Sequence, residues 1–297
     1  MLYLYFSPNL LFAGAPVKTR VMVSIPPQTY FVERIGGTLV DVMCLLPAGA
    51  SPHFYEPRPR QMKFLSEADM YVRVKIDFEN AWWKKISAAN TDMLVVDSTQ
   101  GIDFIGTHMH RQRKTGYNGR SGAVDLRHKT TRYNGRDPHI WLSPRLVKTQ
   151  VENICQGLMK ADPEHSNIYK LNKEAFIRSV NVLDAEIRAK LANLKTRHFM
   201  VFHPTWAYFA RDYNLEQIPI EMEGKEPSAG AMAKLMTIAR KRHISVIFLQ
   251  PQISRQTADV IAGHLDAKVT ILDPLAADWM KNMLRATDAF VEILSHK

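Results

Sequence analysis

Short apolar and β-branched runs recur along this chain with helix-patterned stretches between them, and that alternation limits the fold more than any other feature. Strands linked through helical crossovers pair in parallel, so the pattern specifies an α/β architecture, helices covering mostly parallel sheets. The first half offers VMVSI (21–25), VDVMCLL (40–46), DMYVRV (69–74) and MLVVD (93–97) as strands. The second half offers HFMVFH (198–203), QIPI (217–220), ISVIFLQ (244–250) and KVTILD (268–273). Helices fit between them. TYFVERIGG ends in a glycine pair suited to a C-cap, PRQMKFLSEA opens with proline at the first helical position, and 229–242, 255–265 and 278–295 carry helical patterns.

Between the halves, Ser143 and Pro144 read as an N-cap and the first position of a helix with Leu146, Val147, Val151, Ile154 and Leu158 on one face. Ile168, Leu171, Phe176, Val180, Leu183, Ile187, Leu191 and Leu194 then keep helical spacing without a Gly or Pro. Such a helix approaches about 40 Å at 1.5 Å per residue. The expected layout is two lobes, 17–162 and 197–297, each with a mostly parallel sheet flanked by helices, joined by one long spine helix over 163–196. A chain of 297 residues with 46% apolar content is large enough for both. No apolar run reaches the roughly 20 residues of a membrane span. Residues 1–16 begin with the apolar MLYLYFSPNLLFAGA, which reads as a signal-peptide core with a small-residue cleavage site, or else as a disordered N-terminus.

The net charge of +10 raises nucleic acid as a partner, but its distribution argues against one. Eight basic residues against Asp125 alone fall in the segment 106–136, which is rich in Gly, Asn, Ser and Thr and has no apolar period, so the excess belongs to a loop. Cys44 and Cys155 sit in apolar runs and read as buried thiols, with a bridge between them unsupported.

Four side chains carry the candidate chemistry. His53 follows the second strand, His139 occupies the loop before Ser143, His203 ends the fifth strand and Asp273 ends the eighth. In open α/β sheets ligands bind beyond the carboxyl ends of strands, so each lobe sends two of these groups toward one cleft. Three imidazoles and a carboxylate are a nitrogen and oxygen shell suited to a divalent first-row metal, and four such ligands complete a tetrahedral zinc site. Pro52, Pro138, Pro204 and Pro274 stand next to them and stiffen the loops. Each residue has a plainer reading: a lone histidine after a strand is more often a solvated or hydrogen-bonded side chain, and Asp273 before Pro274 is equally a turn former. Glu56, Glu221, Glu223 and Glu226 read as surface residues, and Trp206 and Tyr208 as packing, with shelter of the site as the alternative for either.

The stretches PAGASPHFYEPRPRQMKFLSEADMYVRV, DFENAWWKKI, DPHIWLSPRLVKTQVENI, VFHPTWAYFARDYNL, EPSAGAMAKL and LQPQISRQTADVIAGHLDAKVTILDPL give the chain a resemblance to the cluster A-I solute-binding proteins of metal ABC importers, the zinc and manganese family. The resemblance runs from about residue 21 to the C-terminus. It implies two α/β lobes joined by a long helix, metal held by His53, His139, His203 and Asp273, and delivery of that metal to an ABC permease in the inner membrane. It implies a soluble periplasmic monomer that is not an enzyme and takes Zn2+, with Mn2+ as the alternative. Relatives of the zinc type often carry a histidine- and acid-rich loop before the second ligand, whereas 106–136 is arginine-rich.

Two rivals remain at this point. A zinc hydrolase would use Asp273 as general base and three histidines as ligands, but four protein ligands leave no open position for an activated water. A surface adhesin on the same fold is the other. The long spine further predicts that metal leaves by local loop rearrangement and not by wide opening of the lobes.

Overall fold

The computed structural model describes residues 17–52, 55–106, 136–221, 227–253, 255–265 and 267–295. The chain begins with β1 (Thr19–Val23), α1 (Pro26–Gly36), β2 (Val40–Cys44), α2 (Pro59–Ser66), β3 (Met70–Arg73), α3 (Asp77–Ala89) and β4 (Leu94–Asp97). These strands form one sheet in the order β2-β1-β3-β4, every pair parallel. A 3-10 turn over Ile140–Leu142 leads into α4 (Pro144–Ala161), and a second over Pro163–His165 leads into α5 (Ser166–Lys190). The second lobe follows as β5 (His198–Val201), α6 (Ala207–Asp212), β6 (Glu216–Pro219), α7 (Ala229–Lys241), β7 (Val246–Leu249), α8 (Arg255–Leu265), β8 (Lys268–Ile271) and α9 (Trp279–Leu294). Its sheet repeats the plan, β6-β5-β7-β8, again all parallel.

Local chemistry sets the element ends. Gly37 closes α1 at a φ of +57°, a conformation that glycine adopts without strain. The Ser143 hydroxyl accepts from the Leu146 amide at 3.2 Å and caps α4. Gly157 lets α4 lie directly on the first sheet, because a Cβ there would meet the Val96 side chain at 2.4 Å.

The spine helix α5 spans 25 residues, about 37 Å at 1.5 Å per residue. Its buried face is Tyr169, Phe176, Val180, Leu183 and Ile187. Ile168 and Leu171, read from spacing as core positions, are instead 45% and 66% exposed, and Tyr169 takes the buried place between them. The apolar core does not stop at the lobe boundary. One continuous cluster runs from Val21 and Phe31 through Trp141 and Phe176 to Phe209, Trp279 and Phe290, while Met200, Ile218, Ile247 and their neighbours form a smaller cluster in the second lobe. Among the described residues no helix is long and apolar enough to cross a membrane.

Candidate metal centre

One histidine from each lobe meets the other at the candidate site. His203 lies two residues beyond β5, only 8% exposed, and His139 lies just before the 3-10 turn, 4% exposed. Their ring centroids are 5.6 Å apart with planes at 76°. Two imidazoles bound through Nε2 to one tetrahedral ion at about 2.0–2.1 Å would hold their centroids about 5 Å apart. The observed separation is close to that value and is equally that of an edge-to-face ring contact.

Each ring is held from behind by a carboxylate. His139 Nδ1 lies 2.7 Å from Asp137 Oδ1, which also accepts the His139 backbone N–H at 2.9 Å. His203 Nδ1 lies 2.8 Å from Glu221 Oε2. A carboxylate at Nδ1 fixes the proton there and puts the lone pair on Nε2, the tautomer a metal needs. Asp137 is fully buried, and the two carboxylates put negative charge behind both rings, which favours a cation in front of them.

The pairing of His203 with Glu221 follows from sheet register. Val201 stands opposite Pro219, and the hydrogen bonds continue past the strands, Ile220 N–H to the Val201 carbonyl and Glu221 N–H to the Phe202 carbonyl, both at 2.9 Å. Two further residues along, His203 and Glu221 are level. Glu221 is thus not the surface residue its sequence suggests: its side chain is 10% exposed and bonded to a candidate ligand. Glu56 is exposed as expected, and Glu223 and Glu226 lie outside the described residues.

Asp273 follows β8 and is half-buried, its Oδ1 accepting the Leu275 amide at 2.9 Å and its carbonyl accepting from Asn282 Nδ2 at 2.7 Å. Asp273 is therefore the turn former its sequence suggests, and the turn engages one carboxylate oxygen. The adjacent Pro274 carbonyl accepts from the Trp141 indole at 2.7 Å, which ties the Asp273 loop to the His139 loop. His53 lies outside the described residues, as does 107–135, nearly all of the basic loop. Among the described residues no group of three His, Cys, Asp or Glu side chains stands within coordinating reach of one point. The structure brings His139 and His203 together and leaves Asp273 on the neighbouring loop.

Tyr208 both packs and positions. Its hydroxyl donates to the Asp137 carbonyl at 2.6 Å and accepts the Ile105 amide at 3.0 Å. Burial, reinforced by the Asp137 charge, raises its pKa, so the phenol stays protonated. Trp206 is 1% exposed and packs against Phe209 and Phe290. The cysteines are both free thiols; burial pushes Cys44 up to about 12 and raises Cys155 too, so both are protonated at neutral pH.

Comparison with known proteins places the chain in a family. The family model described as "ZnuA: Zinc-uptake complex component A periplasmic" matches residues 21–293. The chain belongs to the ZnuA family. That family comprises solute-binding transport components, not enzymes. A ZnuA deletion mutant solved with zinc bound is 41% identical to this chain, with a TM-score of 0.83 over 94% of this chain and 99% of that one. The high-affinity zinc uptake system protein ZnuA of Bacillus subtilis is 28% identical over 87% of this chain and 79% of its own length. Zinc-binding protein AdcA of Streptococcus pyogenes is 29% identical over 92% of this chain, which spans about half of that longer relative, 53%. The ZnuA fold of two parallel sheets and a long intervening helix is the one found here.

Proposed function

We propose that this chain is the extracytoplasmic substrate-binding component of an ABC-type zinc importer, capturing Zn2+ between its lobes through His53, His139, His203 and Asp273 and passing it to a membrane permease. The observation that carries the reading is the approach of His139 and His203, each with its Nδ1 on a carboxylate. The relatives named as zinc-uptake and zinc-binding proteins support zinc as the cargo. Three neutral imidazoles also favour zinc over manganese, which prefers more oxygen ligands. The protein acts as a periplasmic monomer in this reading.

Capture follows from this chain's own groups. Asp137 and Glu221 fix the tautomer and ring direction of the two imidazoles before the ion arrives, so binding requires little reorganisation. Asp273 adds the one formal negative charge to the shell. Four protein ligands would fill a tetrahedral ion, which suits carriage and leaves no place for an activated water.

The test is elemental analysis of protein purified without added metal, followed by competitive titration with zinc and manganese. One zinc per chain, retained against manganese, is the expected result. Protein that binds neither ion would overturn the reading, and a preference for manganese would overturn the choice of metal.

A further inference from the structure

Three buried hydrogen bonds cross between the lobes beside the metal centre. Trp141, two residues past His139, donates its indole N–H to the carbonyl of Pro274, the residue after Asp273. Trp279, at the start of α9, donates its indole N–H to the Trp141 carbonyl at 2.7 Å. Tyr208 of α6 donates to the Asp137 carbonyl, two residues before His139. Trp141 and Trp279 are each 1% exposed.

Trp279 bridges the lobes physically. Its helix belongs to the second lobe, where Phe290 packs on Phe199 at 4.7 Å and Phe248 at 4.8 Å. Its own ring lies against Phe31 of α1 at 5.3 Å and Phe176 of the spine at 6.4 Å. A further bond from the Ser143 hydroxyl to the Asp212 carboxylate extends the same line of contacts.

We infer that Trp141 and Trp279 are positioning residues that form a reciprocal clasp between the His139 loop and the Asp273 loop and set how fast the metal leaves. The inference rests on the metal-binding reading above. An ion coordinated from both loops departs only when they separate, and separation strips the Pro274 and Trp141 carbonyls of their donors in a place closed to water. A buried carbonyl left without a partner is costly, so the barrier to release rises with each indole bond. Rigid aromatic packing around Trp279 keeps the clasp from yielding gradually.

Trp279→Phe and Trp141→Phe keep most of the ring packing and remove the donor. Zinc release from the full chain is measured by rapid mixing with excess chelator. Backbone hydrogen exchange of residues 137–143 and 273–280 is measured in zinc-free protein. Each variant is expected to release zinc about fivefold faster or more, with little change in association, and to speed exchange in both loops. Unchanged release and unchanged loop exchange, with only a lowered melting temperature, would overturn the clasp and leave the indoles as packing. Should either tryptophan variant fail to fold, Tyr208→Phe reports on the same cross-lobe attachment, with the same two outcomes. If the wild-type chain binds no zinc, the metal reading fails, and loop exchange in zinc-free protein still decides the clasp.

Discussion

His139 and His203 come from different lobes, yet their rings meet at 5.6 Å, and each turns its Nδ1 to a carboxylate of its own lobe. Each lobe thus orients its own imidazole, and the two rings face one another across the cleft. His139→Ala and His203→Ala should each reduce zinc affinity by more than about 100-fold. Glu221→Gln and Asp137→Asn should each cost about 10–100-fold, the range for partners behind metal-bound histidines. Competition with a zinc-sensitive dye checks all four, and circular dichroism separates lost binding from lost folding.

Asp273 has a turn to hold as well as a charge to offer. Asp273→Asn keeps an oxygen for the Leu275 amide while removing the charge, whereas Asp273→Ala removes both. Both variants should bind zinc much more weakly, the alanine also losing thermal stability. Titration calorimetry with a melting curve on the same samples reads the two effects. Intact zinc binding in the asparagine variant would remove Asp273 from the ligand set.

His198, far from the site at the start of β5, gives the zinc-free protein a pH dependence. Burial lowers its pKa, with the nearby Arg242 charge adding to the effect and Glu216 opposing it. A histidine easier to protonate unfolded than folded supports the fold above its unfolded pKa, near 6.5, and that support is lost as the pH falls toward the lower folded value. His198→Gln should therefore flatten the loss of stability between neutral pH and about pH 5. Urea unfolding of wild type and variant across that range checks the slope.

Gly157 marks the closest approach of α4 to the first sheet. A methyl group there would lie 2.4 Å from the Val96 side chain and 2.8 Å from Met70 Sδ. Gly157→Ala gains helix propensity but should still destabilise by about 1–3 kcal/mol through overpacking. The midpoint of urea denaturation measures it.

The eight strands were legible because each is a short apolar run between turn signals, and their ends were displaced by only a few residues. Helices α3 and α6 were not anticipated, for opposite reasons. On α3 the buried set is Phe78, Glu79 and Ile86, and a charged residue in the core breaks the apolar period; its carboxylate accepts from the Val74 and Lys75 amides at 2.8 Å. Helix α6 is buried at every position but Arg211, so it has no polar face to reveal a period. In the site, the histidines stood out beside their prolines. Glu221 did not, because its role depends on the register between β5 and β6, which no local pattern encodes.

The apolar cluster that passes from Phe31 and Phe176 to Trp279 and Phe290 bears on how the molecule fails. A nick or truncation that parts the halves would leave each with an uncovered aromatic face, so neither fragment should persist as a well-behaved monomer. Heat or protease damage should therefore yield clumping rather than two tidy pieces.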